Sequence, residues 1–185
     1  MSHNLDPLYP LSEIYLKMGL NLPLVYPINE KDVPEPYKRL LVHERDMTST
    51  LEAAFNQNIY LKVLQKSMQE NILIRQVLLL LDQDDSPVEF GAIKIYLNMF
   101  SYSARRLILE GEQPLGAVLH KYHIKYFSSP IAFFRVIPDQ LINQWLEGQV
   151  EGSNLYGRRN VLRNNQQEKI AEILEILPAI SKLLK

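Results

Sequence analysis

The chain has 185 residues, a formal charge of −1 from 20 Lys and Arg against 21 Asp and Glu, and no cysteine. That length suits one domain with a continuous core. The balanced charge leaves no overall electrostatic attraction to nucleic acid or an anionic membrane, and the missing cysteines exclude disulfides, thiolate catalysis and cysteine metal sites. No run approaches the ~20 apolar residues of a spanning helix, and no basic segment followed by an apolar run opens the chain. A cytoplasmic protein without a membrane span or a nucleic-acid partner is expected.

Residues 1–36 carry Pro7, Pro10, Pro23, Pro27, Pro34 and Pro36 around a short helical stretch at 11–18. Leu20, Leu22, Leu24, Val25 and Tyr26 are too apolar for a free tail, so this segment reads as an arm packed along a domain of residues 37–185. Residues 37–55 have helical spacing with a break near Asp46, and Ser49-x-x-Glu52 reads as a capping box for the second piece. Ile59, Leu61 and Val63 then alternate as in a strand. Ser67-Met68-Gln69-Glu70 reads as the turn into residues 71–81, a long apolar strand. An acidic turn at 82–87 leads to a third strand over 88–97. Helices are expected at 101–110, from Pro114 to near His120, and at 139–147. Strands are expected at 124–137, interrupted at Ser128-Ser129-Pro130, and at 155–163 and 169–177. Short links between successive strands favour an α+β fold, an antiparallel β-sheet of about six strands with helices packed on one side.

Strand alternation puts Arg75 in one row with Leu73, Val77, Leu79 and Leu81. A guanidinium keeps its proton, so burying it requires an internal carboxylate or an anionic ligand. Phosphate loops and the GxSxG turn are missing from a chain with only seven glycines, which argues against nucleotide chemistry. His120-x-x-His123 lacks a third ligand and reads as helix-end or core histidines rather than a metal site. Arg158 and Arg159, with Arg163 nearby, lack interleaved aromatics beyond Tyr156 and read as carboxylate-binding or structural.

Five pieces occur in a telling order: Glu44-Arg45-Asp46-Met47-Thr48, a strand bearing Arg75 followed by an acidic turn and Gly91, Gln113-Pro114-Leu115-Gly116, Leu155-Tyr156-Gly157-Arg158-Arg159, and a final strand with glutamates ending in Leu177-Pro178. Together, over residues 37–178, they resemble chorismate pyruvate-lyase (4-hydroxybenzoate synthase), in its divergent bacterial and cyanobacterial branch. The resemblance implies a carbon-oxygen lyase without cofactor or metal, which converts chorismate to pyruvate and 4-hydroxybenzoate, a precursor for quinone biosynthesis among other uses. It implies a chorismate lyase-like sheet with helical flaps over an internal ligand pocket, in a monomer or homodimer.

By position, Arg75 would hold the ring carboxylate, Met47 would pack on the ring, Leu115 and Gly116 would line the pocket, and Arg158 and Arg159 would assist binding. The final-strand glutamate would act in proton transfer. Glu172 and Glu175 both qualify, and they point to opposite faces. Where well-known members follow the glycine equivalent to Gly91 with arginine, this chain has Ala92, so Arg158, Arg159 or Lys94 would have to compensate. The alternative is a non-catalytic binding protein for a small aromatic acid. Effector domains of bacterial transcription regulators share the fold, but they normally follow a helix-turn-helix module, for which the proline-broken first 36 residues read as too short.

Overall fold

A computed structural model describes residues 6–146 and 154–179. A strand as apolar as residues 72–81 must be covered on both faces. It is: β3 (Ile72–Leu81) is buried at every position except the half-buried Ile72. It pairs on one side with β2 (Ile59–Gln69) and on the other with β4 (Pro87–Tyr96). With β1 (Leu24–Ile28), β5 (Phe127–Ile137), β6 (Leu155–Arg163) and β7 (Lys169–Leu177), these strands form one antiparallel sheet of seven, in the order β1-β5-β6-β7-β4-β3-β2. The expected α+β architecture is therefore present, with one strand more than the six expected. The extra strand, β1, comes from the arm and pairs with β5 at one edge.

Four helices lie over one face of the sheet: α2 (Tyr37–Leu41), α3 (Met47–Phe55), α4 (Tyr102–Glu110) and α5 (Leu115–Lys121). They bury two separate apolar clusters. α2 and α3 pack Leu40, Leu41, Met47 and Leu51 against Leu61, Val77 and Leu79. α4 and α5 pack Ile108, Leu115 and Leu119 against Leu73, Ile93 and Ile95. On the reverse face, α1 (Leu11–Met18) and α6 (Gln140–Trp145) cover Ile74, Leu78, Phe90 and Phe134. The expected last residue of that final helix, Glu147, lies outside the described residues. Among the described residues, no helix is long and apolar enough to cross a membrane.

Local chemistry moves several expected boundaries. The helix expected to start at a Ser49 capping box starts at Met47, because the Asp46 carboxylate accepts from the Ser49 amide at 2.9 Å and caps the first turn. Glu52 instead accepts from the Ile59 amide at 3.2 Å, across the link to β2. The turn placed at 67–70 shrinks to Glu70-Asn71, with Gln69 opposite Ile72 and Glu70 in the left-handed region at φ 52°. The strand expected to break at Pro130 continues through it, the misfit being absorbed by a bulge between Pro130 and Ala132. At the edges, β1 carries Pro27, while β2 has a bulge between Val63 and Gln65 with exposed Lys62 and Lys66 beside it.

Gly157 shows how closely the sheet is packed. A Cβ there would lie 2.5 Å from the Glu175 carbonyl oxygen and 2.6 Å from the ring of Phe134, its partner across β5 and β6. We expect Gly157→Ala to lower stability by about 1–3 kcal/mol, the usual cost of overpacking; urea unfolding that matches wild type would show that Phe134 can move aside.

Candidate functional site

The two apolar clusters on the flap face do not meet. Between them the same face carries Arg75 from β3, Glu89 and Gly91 from β4, Glu175 from β7, and Arg158 and Asn160 from β6. A cavity of about 70 Å3, measured at the centres of water-sized spheres, opens in this gap. Leu61, Val77 and Leu79 wall it on one side, Ile93 and Leu162 on the other, and Met47, Leu115 and Gly116 close it from the flaps. Since one water needs about 10–15 Å3 on this measure, the space suits a small molecule.

Glu175 is set by its cross-strand partner. Arg158 lies directly opposite it on β6 and is fully buried. The Arg158 Nε donates to Glu175 Oε2, and its Nη2 lies 3.4 Å from Oε1. Its remaining donors reach the carbonyls of Leu41 and His43 at 2.9 Å and that of Arg45 at 3.3 Å. So the guanidinium ties the link between α2 and α3 to the sheet and holds the Glu175 side chain at the cavity wall. His43 belongs to the same knot. Burial, and then the Arg158 charge, push its pKa down to about 4, so its ring is neutral. Its Nδ1 accepts from the Arg45 amide at 3.1 Å, which assigns the ring proton to Nε2, 2.8 Å from the Leu40 carbonyl.

Arg75 has no such partner. It is 3% exposed, yet its polar contact is one long approach of Nη1 to the Ile108 carbonyl at 3.5 Å, and its Nε has no partner among the described residues. Burial pushes its pKa down only to about 10, so the guanidinium keeps its charge at neutral pH. Arg75 is opposite Ile93 on β4, two residues along from Gly91, which is opposite Glu175 on β7. Two strand spacings and two residue rises separate the Arg75 and Glu175 backbones by about 12 Å. Gly91 sits between them, where a Cβ would come within 2.9 Å of both the Leu174 carbonyl oxygen and Glu89 Oε1.

Glu89, not anticipated as a site residue, also lines the cavity. It is 4% exposed, and its Oε2 has no partner among the described residues. Burial, reinforced by the negative charge of Glu175, holds its pKa well above the usual carboxylate range, and Arg158 offsets this only in part. Burial and the neighbouring Glu175 therefore favour the protonated form of Glu89.

The flaps are joined through Asp46. Its carboxylate caps α3 and comes so close to α5 that a Cβ on Gly116 would stand 3.0 Å from Oδ1. His120 Nε2, near the end of α5, lies 3.5 Å from Oδ2. Burial and the Asp46 carboxylate push the Tyr126 hydroxyl up to about 12.

Of the residues singled out in the sequence, Met47, Arg75, Leu115, Gly116 and Glu175 line the cavity, and Arg158 braces it through Glu175. Arg159 and Glu172 do not come to it. They lie on the reverse face, where Arg159 Nη2 is 3.3 Å from Glu172 Oε1 and its Nη1 donates to the Asp6 carbonyl at 2.9 Å. Burial alone would raise the Glu172 pKa, but hydrogen bonds from Tyr96 at 2.6 Å and Lys169 at 3.0 Å outweigh it and hold the carboxyl below its usual range. Lys94 shares that face and pairs with Glu13 at 3.0 Å. Neither Lys94 nor Arg159 therefore supplies the cavity with a charge in place of the arginine missing at Ala92.

No family model matches the sequence, and no curated protein matches it. Solved structures do. The effector domain of PhnF from Mycobacterium smegmatis superposes with a TM-score of 0.55 at 14% identity, over 72% of this chain and 88% of that one. A second PhnF structure from that organism gives 0.56 at 11%, over 91% and 93%. The possible transcriptional regulator YydK from Bacillus subtilis subsp. subtilis str. 168 gives 0.52 at 10%, over 90% and 75%. At such identities the likeness shows the fold alone, the chorismate lyase-like fold that regulator effector domains share.

The proton on Glu89 links stability to pH. The folded protein keeps it where the unfolded chain, titrating near 4.5, has released it. The stabilisation is complete below that pH and is lost as pH rises through the raised folded value, by up to about 1.4 kcal/mol per pH unit. Glu89→Gln removes this titration, so urea unfolding at pH 5 and pH 8 should show the variant gaining on wild type at the higher pH. A difference independent of pH would mean that Glu89 is not held protonated.

Proposed function

We propose that the cavity receives a small aromatic carboxylic acid, and that the protein is a chorismate pyruvate-lyase. The observation that carries this is Arg75, a buried, charged guanidinium that lines the cavity with no carboxylate partner among the described residues. A ligand carboxylate supplies the missing anion as a bidentate partner. The apolar walls and Met47 take the ring, and the far end of the ring faces Glu175 and Glu89.

In the proposed reaction the ring carboxylate of chorismate rests on Arg75 with the ring hydroxyl toward Glu175. The bond between ring carbon and enolpyruvyl oxygen breaks, and the ring carbon bearing the hydroxyl gives up its hydrogen as a proton. The electron pair left behind makes the ring aromatic. Enolpyruvate takes a proton at its methylene carbon and becomes pyruvate, so the stoichiometry balances without water or a redox partner. Glu175 is the base at hand, aimed by the hydrogen bond from Arg158.

A second reading, non-catalytic binding of an aromatic acid, is favoured by one observation. Among the described residues that line the cavity, Arg75 is the only lysine or arginine, whereas chorismate has two carboxylates. The similar PhnF chain, described as an effector domain, agrees with this reading.

Incubation of the purified protein with chorismate, followed by chromatography, separates the two. Stoichiometric 4-hydroxybenzoate and pyruvate above the spontaneous rate is expected of the lyase; no product with tight 4-hydroxybenzoate binding would identify a binding protein. Arg75→Ala should weaken 4-hydroxybenzoate binding by about 2–5 kcal/mol in calorimetry, the range for truncating one member of a buried charge pair, and unchanged affinity would remove Arg75 from the site. In the turnover assay, Glu175→Gln should lose most of the rate and Glu172→Gln should keep it; equal rates in both variants would exclude Glu175 as the base.

A further inference from the structure

Glu89 has no part in the reaction as written, yet the strand brings its carboxyl to the cavity and leaves one oxygen there without a partner. It folds back over Gly91, so that a Cβ on that glycine would stand 2.9 Å from Glu89 Oε1. Gly91 in turn lies opposite Glu175. Two carboxyl groups on the same face of neighbouring strands, in a largely apolar cavity, disfavour joint ionisation. One of them, Glu175, is committed to Arg158.

We infer that Glu89 and Glu175 hold a single proton between them and form a two-sided hydrogen-bonding clamp, Glu89 donating and Glu175 accepting, that selects six-membered-ring carboxylic acids bearing a hydroxyl opposite the ring carboxylate. The inference rests on the proposal that an aromatic acid binds at Arg75, and it adds the group that the ligand must carry at its other end. A hydroxyl both donates and accepts, so it satisfies both carboxyls. An aromatic amine donates well but accepts poorly and leaves the Glu89 proton without a partner. A bare ring satisfies neither group, and a carboxylate in place of the hydroxyl has no hydrogen to donate to Glu175. Unmet hydrogen bonds in a dry site weigh heavily in selectivity. Glu89 thus acts as a specificity-determining residue, with Gly91 providing the space its carboxyl occupies.

The test is calorimetry at neutral pH with 4-hydroxybenzoate, 4-aminobenzoate and benzoate on wild type, Glu89→Gln and Glu89→Leu. Wild type is expected to prefer the hydroxy acid over both others by about tenfold or more, the scale of one or two unmet buried hydrogen bonds. Glu89→Gln keeps a donor and should retain the preference over the amine, while Glu89→Leu should abolish it. Equal affinities for the three acids in wild type, or an unchanged preference in Glu89→Leu, would overturn the inference. If wild type binds none of the acids, the aromatic-acid proposal itself falls. The shared proton is read separately, without ligand, by infrared difference spectroscopy: wild type should show the carbonyl stretch of a protonated carboxylic acid that Glu89→Gln lacks. Its absence from wild type would overturn the clamp whatever the binding data show.

Discussion

A charged guanidinium with no route to water must find an acceptor for nearly every N–H it carries, and Arg158 does so by drawing three elements together. Its partners are Glu175 on the neighbouring strand and three backbone carbonyls from the link between α2 and α3. Buried ion pairs add little net stability over an apolar substitute, because desolvation takes back most of the attraction. Their effect is on geometry: only one placement of the α2–α3 link satisfies Arg158, and that placement carries Met47 to the mouth of the cavity. Removing Glu175 would leave the same guanidinium uncompensated, so the candidate base and the position of the flap depend on one contact.

The leucine-rich sheet explains why the polar groups are gathered where they are. Apolar side chains from the flap helices cover the flap face in two patches, and the strip between them admits polar side chains only if each is partnered or faces an opening. Arg158 and Asn160 are partnered within the protein, the latter by Ser128 on β5 at 2.9 Å. Arg75 and Glu89 keep unpartnered atoms at the cavity. A cation and a neutral acid at separate positions around one small apolar space match a ligand with an anionic end and a hydrogen-bonding end.

Much of this was legible from alternation along the strands. The row that places Arg75 among leucines follows from period two alone, and the same rule put Glu89 in a row with Gly91, Ile93 and Ile95. Glu89 is hidden in the sequence because it follows the acidic turn at 82–87 and reads as the end of a solvated run. The choice between Glu172 and Glu175 was not legible, for a definite reason. Near the turn, Arg163 pairs with Lys169, and carrying that register inward would set Arg158 opposite Leu174. A bulge beside Arg163 shifts the pairing by one, so that Leu162 meets Ala171 and Arg158 meets Glu175. One inserted residue decides which glutamate faces the cavity, and nothing in the composition of the turn announces it. The adjacent arginines were read as a single basic cluster, but a strand sends neighbours to opposite faces. Arg158 serves the cavity wall, whereas Arg159 anchors the arm through Asp6 and lies 4.9 Å from the ring of Tyr9.

Among the described residues, the open sheet of seven strands has two unpaired margins, each a template on which another chain can add. Both are blunted here. The proline in β1 removes one main-chain donor from the outer strand, and the bulge in β2 disturbs the regular spacing a newcomer would need, beside two lysines that would have to be desolvated. A sheet this rich in leucine and isoleucine is a hazard if it can propagate from molecule to molecule. The irregular margins disfavour strand addition from another molecule, which eases the hazard that so apolar an interior would otherwise carry.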